Sequence, residues 1–168
     1  QRPTRRWSRA GVREGVGRRV TRVGFTGTQV GCTDAQTAAL ARTLVSLGCT
    51  TLAHGDCVGA DETAHRVARA MGAAVEMHPP ADPRKRAFCE MLRGEVVRPA
   101  GPYLVRNRAI VAATEVLVAC PREESGEELR SGTWATVRAA RKLNRPVAIV
   151  RPSGRVEWER CNFSGRDT

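Results

Sequence analysis

Cys49–Gly72, CTTLAHGDCVGADETAHRVARAMG, sets the fold class. Its first five residues are β-branched, apolar or small and run through His54 into Gly55, the pattern of a buried strand ending in a turn. Gly55 and Gly59 bracket a tight turn, and Ala60, Ala64, Val67, Ala68 and Met71 then recur at helical spacing until Gly72 closes the stripe. A strand, a glycine turn and a helix in 24 residues make half of a crossover unit, so the rest of the chain is read for more such units.

They occur on both sides. Upstream, RVTRVGFTG (19–27) predicts a strand entering a turn, and Thr33 followed by Gln36 is a capping box. Leu40, Leu44 and Leu47 give that helix its apolar face, and Gly48 ends it. Downstream, AAVEMHPP predicts a third strand stopped by proline. Residues 79–103 break the rhythm with Pro79, Pro80, Pro83, Pro99 and Pro102, leaving a long surface excursion with one short helical candidate around Ala87–Leu92. A helix at about Leu104–Ala113, the strand EVLVAC (115–120), a helix at about Gly132–Leu143 and the strand PVAIV (146–150) resume the alternation. The tail offers one further strand candidate, near Val156–Trp158.

Alternating strands and helices imply right-handed crossovers and an α/β fold, one domain with a mostly parallel sheet of about five strands and helices on both faces. The domain is expected over residues 20–150, between a basic, flexible arm (1–19) and a carboxyl-terminal extension (151–168). Aromatics are 4% of the chain, so Val, Leu, Ile and Ala must build the core, which argues against a β-sandwich. The net charge of +11 sits mainly at the amino terminus, where residues 1–22 hold eight Arg and one Glu. Such an arm can screen the phosphates of a nucleic acid. Six cysteines without a C-x-x-C pair, and no secretory signal or long apolar run, lead to the expectation of reduced thiols in a cytoplasmic protein with no membrane segment. Cys57 and Cys120 are read as small fillers rather than nucleophiles.

In an open parallel sheet, ligands bind outside the carboxyl ends of the strands. Thr26, Gly27 and Thr28 follow the first strand and offer hydroxyls and a close backbone approach to a phosphate or ribose. His54, Gly55, Asp56 and Gly59 follow the second, where the next helix points its free N–H groups at the site. Ser131, Gly132 and Thr133 open the helix after EVLVAC, a second amino terminus expected on the same crevice. Arg106, Asn107 and Arg108 lie on the intervening helix, and Arg106 can neutralise a phosphate. The histidines and acids of HGDCVGADETAH could also suggest a metal site, since Asp61 and His65 share a helical face. Asp61 and Glu62 are equally explained as first-turn acids against the helix dipole, so no metal and no cofactor are assigned.

The motifs HGDCVGAD followed by AH, then GPYLVRN, then SGTWAT, in that order on the expected loops, resemble the SLOG superfamily, which joins DprA/Smf-like and Lonely Guy-type proteins. The closest resemblance is to its YspA-like branch, and it runs from about Val23 to Val150. It implies a Rossmann-like domain that commonly forms homodimers. GADETAH and RNRAI are similar to the DprA pattern and imply single-stranded DNA binding. Arg106 and Gly132-Thr133 match the Lonely Guy pattern, which implies cleavage of the N-glycosidic bond of a nucleoside monophosphate. Thr136 stands where that pattern has its Glu, with Asp61, Glu127 or Glu128 as substitute carboxylates. Three expectations follow: a nucleotide-binding protein, a phosphoribohydrolase with Arg106 and Asp61 as weak catalytic candidates, or a single-strand nucleic-acid module.

Overall fold

Every second residue of the central strands is buried apolar on one face and its neighbours on the other, as a sheet covered on both sides requires. The computed structural model describes residues 21–159; the basic arm and the last nine residues lie outside them. The elements are β1 (Thr21–Gly27), α1 (Asp34–Ser46), β2 (Cys49–His54), α2 (Ala60–Ala70), β3 (Ala74–Met77), β4 (Val96–Val97), α3 (Tyr103–Ala112), β5 (Val116–Cys120), α4 (Gly132–Lys142), β6 (Val147–Val150) and β7 (Val156–Glu159). The sheet order is β4-β3-β2-β1-β5-β6-β7, parallel except for β7, which pairs antiparallel with β6.

The predicted α/β class holds, with seven strands in place of about five. The two additions are short edge strands that periodicity alone resolves poorly. β7 fulfils the strand expected near Val156–Trp158 and adds residues 156–159 to the sheet.

The capping box at Thr33 forms as read: its hydroxyl accepts from Gln36 N at 3.0 Å, and its own N–H donates to Gln36 Oε1 at 3.3 Å. Val23, Phe25, Leu52, Val75 and Val118 pack with Leu40 and Leu44 of α1 and Ala64 and Ala68 of α2 on one face. Leu117, Ala119, Val147 and Ile149 pack with Val111 of α3 and Trp134, Val137 and Ala140 of α4 on the other. No helix among the described residues is long and apolar enough to cross a membrane.

The helical candidate at Ala87–Leu92 is not a helix. Its backbone donors are claimed elsewhere: Ala87 N–H by the Asp56 carbonyl at 2.8 Å, Cys89 N–H by Asp56 Oδ1 at 2.9 Å and Leu92 N–H by Glu95 Oε2 at 2.9 Å. Phe88 adopts φ 55°, which interrupts any helical run. The excursion is therefore laced onto the β2–α2 turn through Asp56 and Arg86, whose Nε lies 2.7 Å from Asp56 Oδ2.

Candidate functional site

β1 passes the chain to β2 on one side and pairs with β5 on the other, so the order of strands reverses at the carboxyl ends of β1 and β5. That is where an open α/β sheet leaves a crevice. A cleft of 330 Å³ lies there, lined by Gly27, Thr28 and Gln29 after β1, by Arg122, Glu128 and Arg130 after β5, by Ser131–Thr133, and by Tyr103.

The wall formed by α4 is an open helix amino terminus. Ser131 caps it, accepting from Trp134 N at 3.5 Å, while the N–H groups of Gly132 and Thr133 have no partner among the described residues. Two free donors and the positive end of the dipole suit an anion. The Arg130 guanidinium has no hydrogen bond or ion pair among the described residues, and Arg122 Nε donates to Glu123 Oε1 at 3.1 Å. A Cβ at position 132 would fall on the Tyr103 hydroxyl, so the tyrosine packs this close to α4 only because residue 132 is glycine.

The amino terminus of α2 is different. Ala60 N–H donates to the Thr28 carbonyl at 3.0 Å, Gly59 N–H to Glu62 Oε2 at 3.1 Å, Val58 N–H to the Lys85 carbonyl at 3.0 Å and Cys57 N–H to Asp61 Oδ2 at 3.0 Å. Gly59, at φ 95°, presses on the backbone of Gln29, so this turn clamps the β1–α1 loop. The Gly55–Gly59 turn therefore positions the cleft from behind, and of the two expected helix ends only α4 opens onto it.

His54 and Asp56 also face inward. The Asp56 N–H donates to His54 Nδ1 at 2.9 Å, so the proton of the neutral ring sits on Nε2 and is donated to His65 Nδ1, 3.0 Å away. Cys89 completes a group of three potential metal ligands with these histidines. A ring whose Nδ1 accepts from a backbone donor has no lone pair at Nε2 for a metal, so the donor set suits a hydrogen-bond chain.

Asp61 is buried, its Oδ2 holding the Cys57 N–H, and burial raises its carboxyl to about 6. Arg106, 6% exposed, donates from one Nη to the Gly55 carbonyl at 2.7 Å, the Cys57 sulfur at 3.2 Å and the His78 carbonyl at 3.3 Å. Its guanidinium carbon lies 5.3 Å from the centre of the Tyr103 ring. Asn107 is buried beside it, and Arg108 is exposed. Thr26 Oγ1 donates to Thr136 Oγ1 at 3.4 Å, and Thr136 in turn donates to the Gly132 carbonyl at 3.0 Å, which leaves this threonine fully buried as a brace of α4. Glu127 pairs with Arg141 at 2.5 Å, and Glu128 alone of the three substitute carboxylates lines the 330 Å³ cleft.

The buried groups set opposing pH dependences. Desolvation, then the neighbouring His65, lowers His54 to about 3. A depressed histidine contributes stability fully present above its ordinary 6.5 and lost as pH falls toward 3. From pH 7 to pH 5 that loss is about 2 kcal/mol. Asp61, raised from 3.8 to about 6, contributes stability that is present below its ordinary value and lost as pH rises through 6. Urea unfolding at both pH values should therefore give a shallower acid loss in His54→Gln and a steeper one, by about 1 kcal/mol, in Asp61→Asn. Equal slopes in the two variants would contradict the assignment.

Gln29, Tyr103, Arg122 and Arg130 line the cleft without having been singled out in the sequence. Arg122 and Arg130 flank the long polar loop CPREESGEELRSGT, and a loop feeding a helix amino terminus after a central strand was the signal available.

No family model and no curated protein matches the sequence. Solved structures do. The molybdenum cofactor binding protein from the phototrophic bacterium Rippkaea orientalis aligns at 20% identity over 79% of this chain and 77% of that one, with a TM-score of 0.60. The Moco carrier protein from Chlamydomonas reinhardtii aligns at 22% identity over 78% and 76%, with a TM-score of 0.51. DNA processing protein A from Streptococcus pneumoniae aligns at 16% identity over 77% of this chain and 50% of that chain, with a TM-score of 0.56. At these identities the likeness is one of fold. The chain has a Rossmann-like α/β fold, shared with these molybdenum-cofactor and DNA-processing proteins.

Proposed function

We propose that this protein binds a nucleotide or nucleotide derivative, seating its phosphate on the amino terminus of α4 at the β1/β5 crevice. The observation that carries this is the pair of unpartnered N–H groups of Gly132 and Thr133 opening, beside the free Arg130 guanidinium, into a cleft of 330 Å³. The same geometry favours binding over cleavage. A threonine bonded to backbone occupies the position of the hydrolase carboxylate, and Glu128 carries no hydrogen bond that would aim it at a glycosidic carbon. Two of the fold neighbours are named for a molybdenum cofactor, so that cofactor belongs in the ligand panel beside nucleoside mono- and diphosphates, cyclic nucleotides and ADP-ribose.

Calorimetry across that panel is expected to find a ligand whose Kd rises about 10- to 100-fold in Arg130→Ala, the loss of one charge-assisted hydrogen bond. No ligand in the panel, or one indifferent to Arg130→Ala, would refute the reading. Free base released from a nucleoside monophosphate would favour the phosphoribohydrolase instead.

A further inference from the structure

Arg106 lies outside the 330 Å³ cleft, and its guanidinium is incompletely satisfied although the buried Asp61 carboxyl is its neighbour. It is 94% buried, forms no ion pair among the described residues, and its Nε has no hydrogen-bond partner there. Asn107, one residue on and equally buried, lies beside the Tyr103 hydroxyl. Both side chains line a small cavity of 40 Å³ between the ends of β1, β2 and α3. Arg106 also lines a second pocket of 210 Å³, which it shares with Lys85, Cys57 and Gln29. Lys85 has no side-chain partner among the described residues, because Asp82, the acid on the same wall, is held by Arg84 at 3.0 Å.

Buried donors without acceptors are costly, and those of a charged guanidinium more so. A ligand oxygen would satisfy the free Nε. Gln29 and Tyr103 line the cleft and both of these cavities, so one ligand can pass around the Tyr103 ring from the α4 terminus to Arg106. We propose that the ligand carries a second phosphate on a separate arm, bound by Arg106 and Lys85, which makes it a nucleoside 3′,5′-bisphosphate or a nucleotide of that two-armed kind. This rests on the proposed seating of the first phosphate at α4.

The test compares each nucleoside 5′-monophosphate with its 3′,5′-bisphosphate by calorimetry on the full chain at fixed salt. The bisphosphate of the preferred base is expected to bind at least about tenfold tighter, the worth of one charged contact. Lys85→Ala and Arg106→Lys should each collapse that ratio toward one. Arg130→Ala should weaken both ligands and keep the ratio. Arg42→Ala, which removes one exposed charge on α1, should keep it too and so separates the pocket from the overall charge of +11. Monophosphate binding with no bisphosphate advantage, or an advantage that survives Lys85→Ala, overturns the second subsite while leaving the first intact. Failure of every phosphate ligand overturns the α4 reading itself.

Discussion

Gly59→Ala is expected to destabilise the protein by about 3–5 kcal/mol, combining backbone strain of about 1–3 with overpacking of similar size. Gly59 sits at φ 95° and ψ −120°, a region essentially closed to side chains. A Cβ there would meet the backbone of Gln29, with its carbonyl carbon at 2.6 Å and Cα at 2.8 Å. Backbone cannot swing aside as a side-chain tip can, least of all a loop whose Thr28 carbonyl is held by the Ala60 N–H. Gly72→Ala is the matched control: its φ of 76° imposes the strain, but nothing lies within 4 Å of the added atom. It should cost about 1–2 kcal/mol. Denaturant unfolding of the two variants separates clash from conformation, and equal losses would mean that the turn does not clamp the loop. Because Gln29 lines the cleft, Gly59→Ala should also weaken ligand binding.

Trp134→Ala is expected to cost a similar 3–5 kcal/mol and to lower Tm by roughly 10 °C. The indole is fully buried between α4 and the sheet, its Nε1 donates to Glu123 Oε2 at 3.0 Å, and Arg151 lies against the ring at 5.3 Å. Arg151 in turn holds the carbonyls of Glu123 and Gly126, at 3.2 and 2.9 Å. Truncation thus leaves a large cavity and loosens the loop that presents Arg130. Trp158→Ala is the contrast: at 43% exposure on edge strand β7, it should change stability by less than about 1 kcal/mol. Comparable losses at both tryptophans in thermal unfolding would remove Trp134 from its role as the support of α4.

What the sequence determined by itself were features that depend on local spacing. The helical stripe from Ala60 to Met71, the Thr33–Gln36 capping box, the apolar runs of β5 and β6 and the loops at the carboxyl ends of the strands are all set within a few turns of chain. Gly132 and Thr133 were legible as part of the site for the same reason, because a capped helix after a central strand has its free donors where the fold puts its crevice. The tertiary structure decided everything that depends on which distant group answers a donor. Two glycine-rich helix ends look equivalent in sequence, yet the Thr28 carbonyl takes the first N–H of α2, while at α4 Ser131 caps Trp134 and the N–H groups of Gly132 and Thr133 have no partner among the described residues. His54 and Asp56 look like ligands for an ion until the Asp56 N–H fixes the tautomer and Arg86 takes the carboxylate. Arg106 and Arg130 are alike as residues. Only the tertiary structure buries Arg106 against the Tyr103 ring and leaves Arg130 on the wall of the cleft, because hydrogen-bond satisfaction and steric exclusion are settled by contacts between residues far apart in the chain.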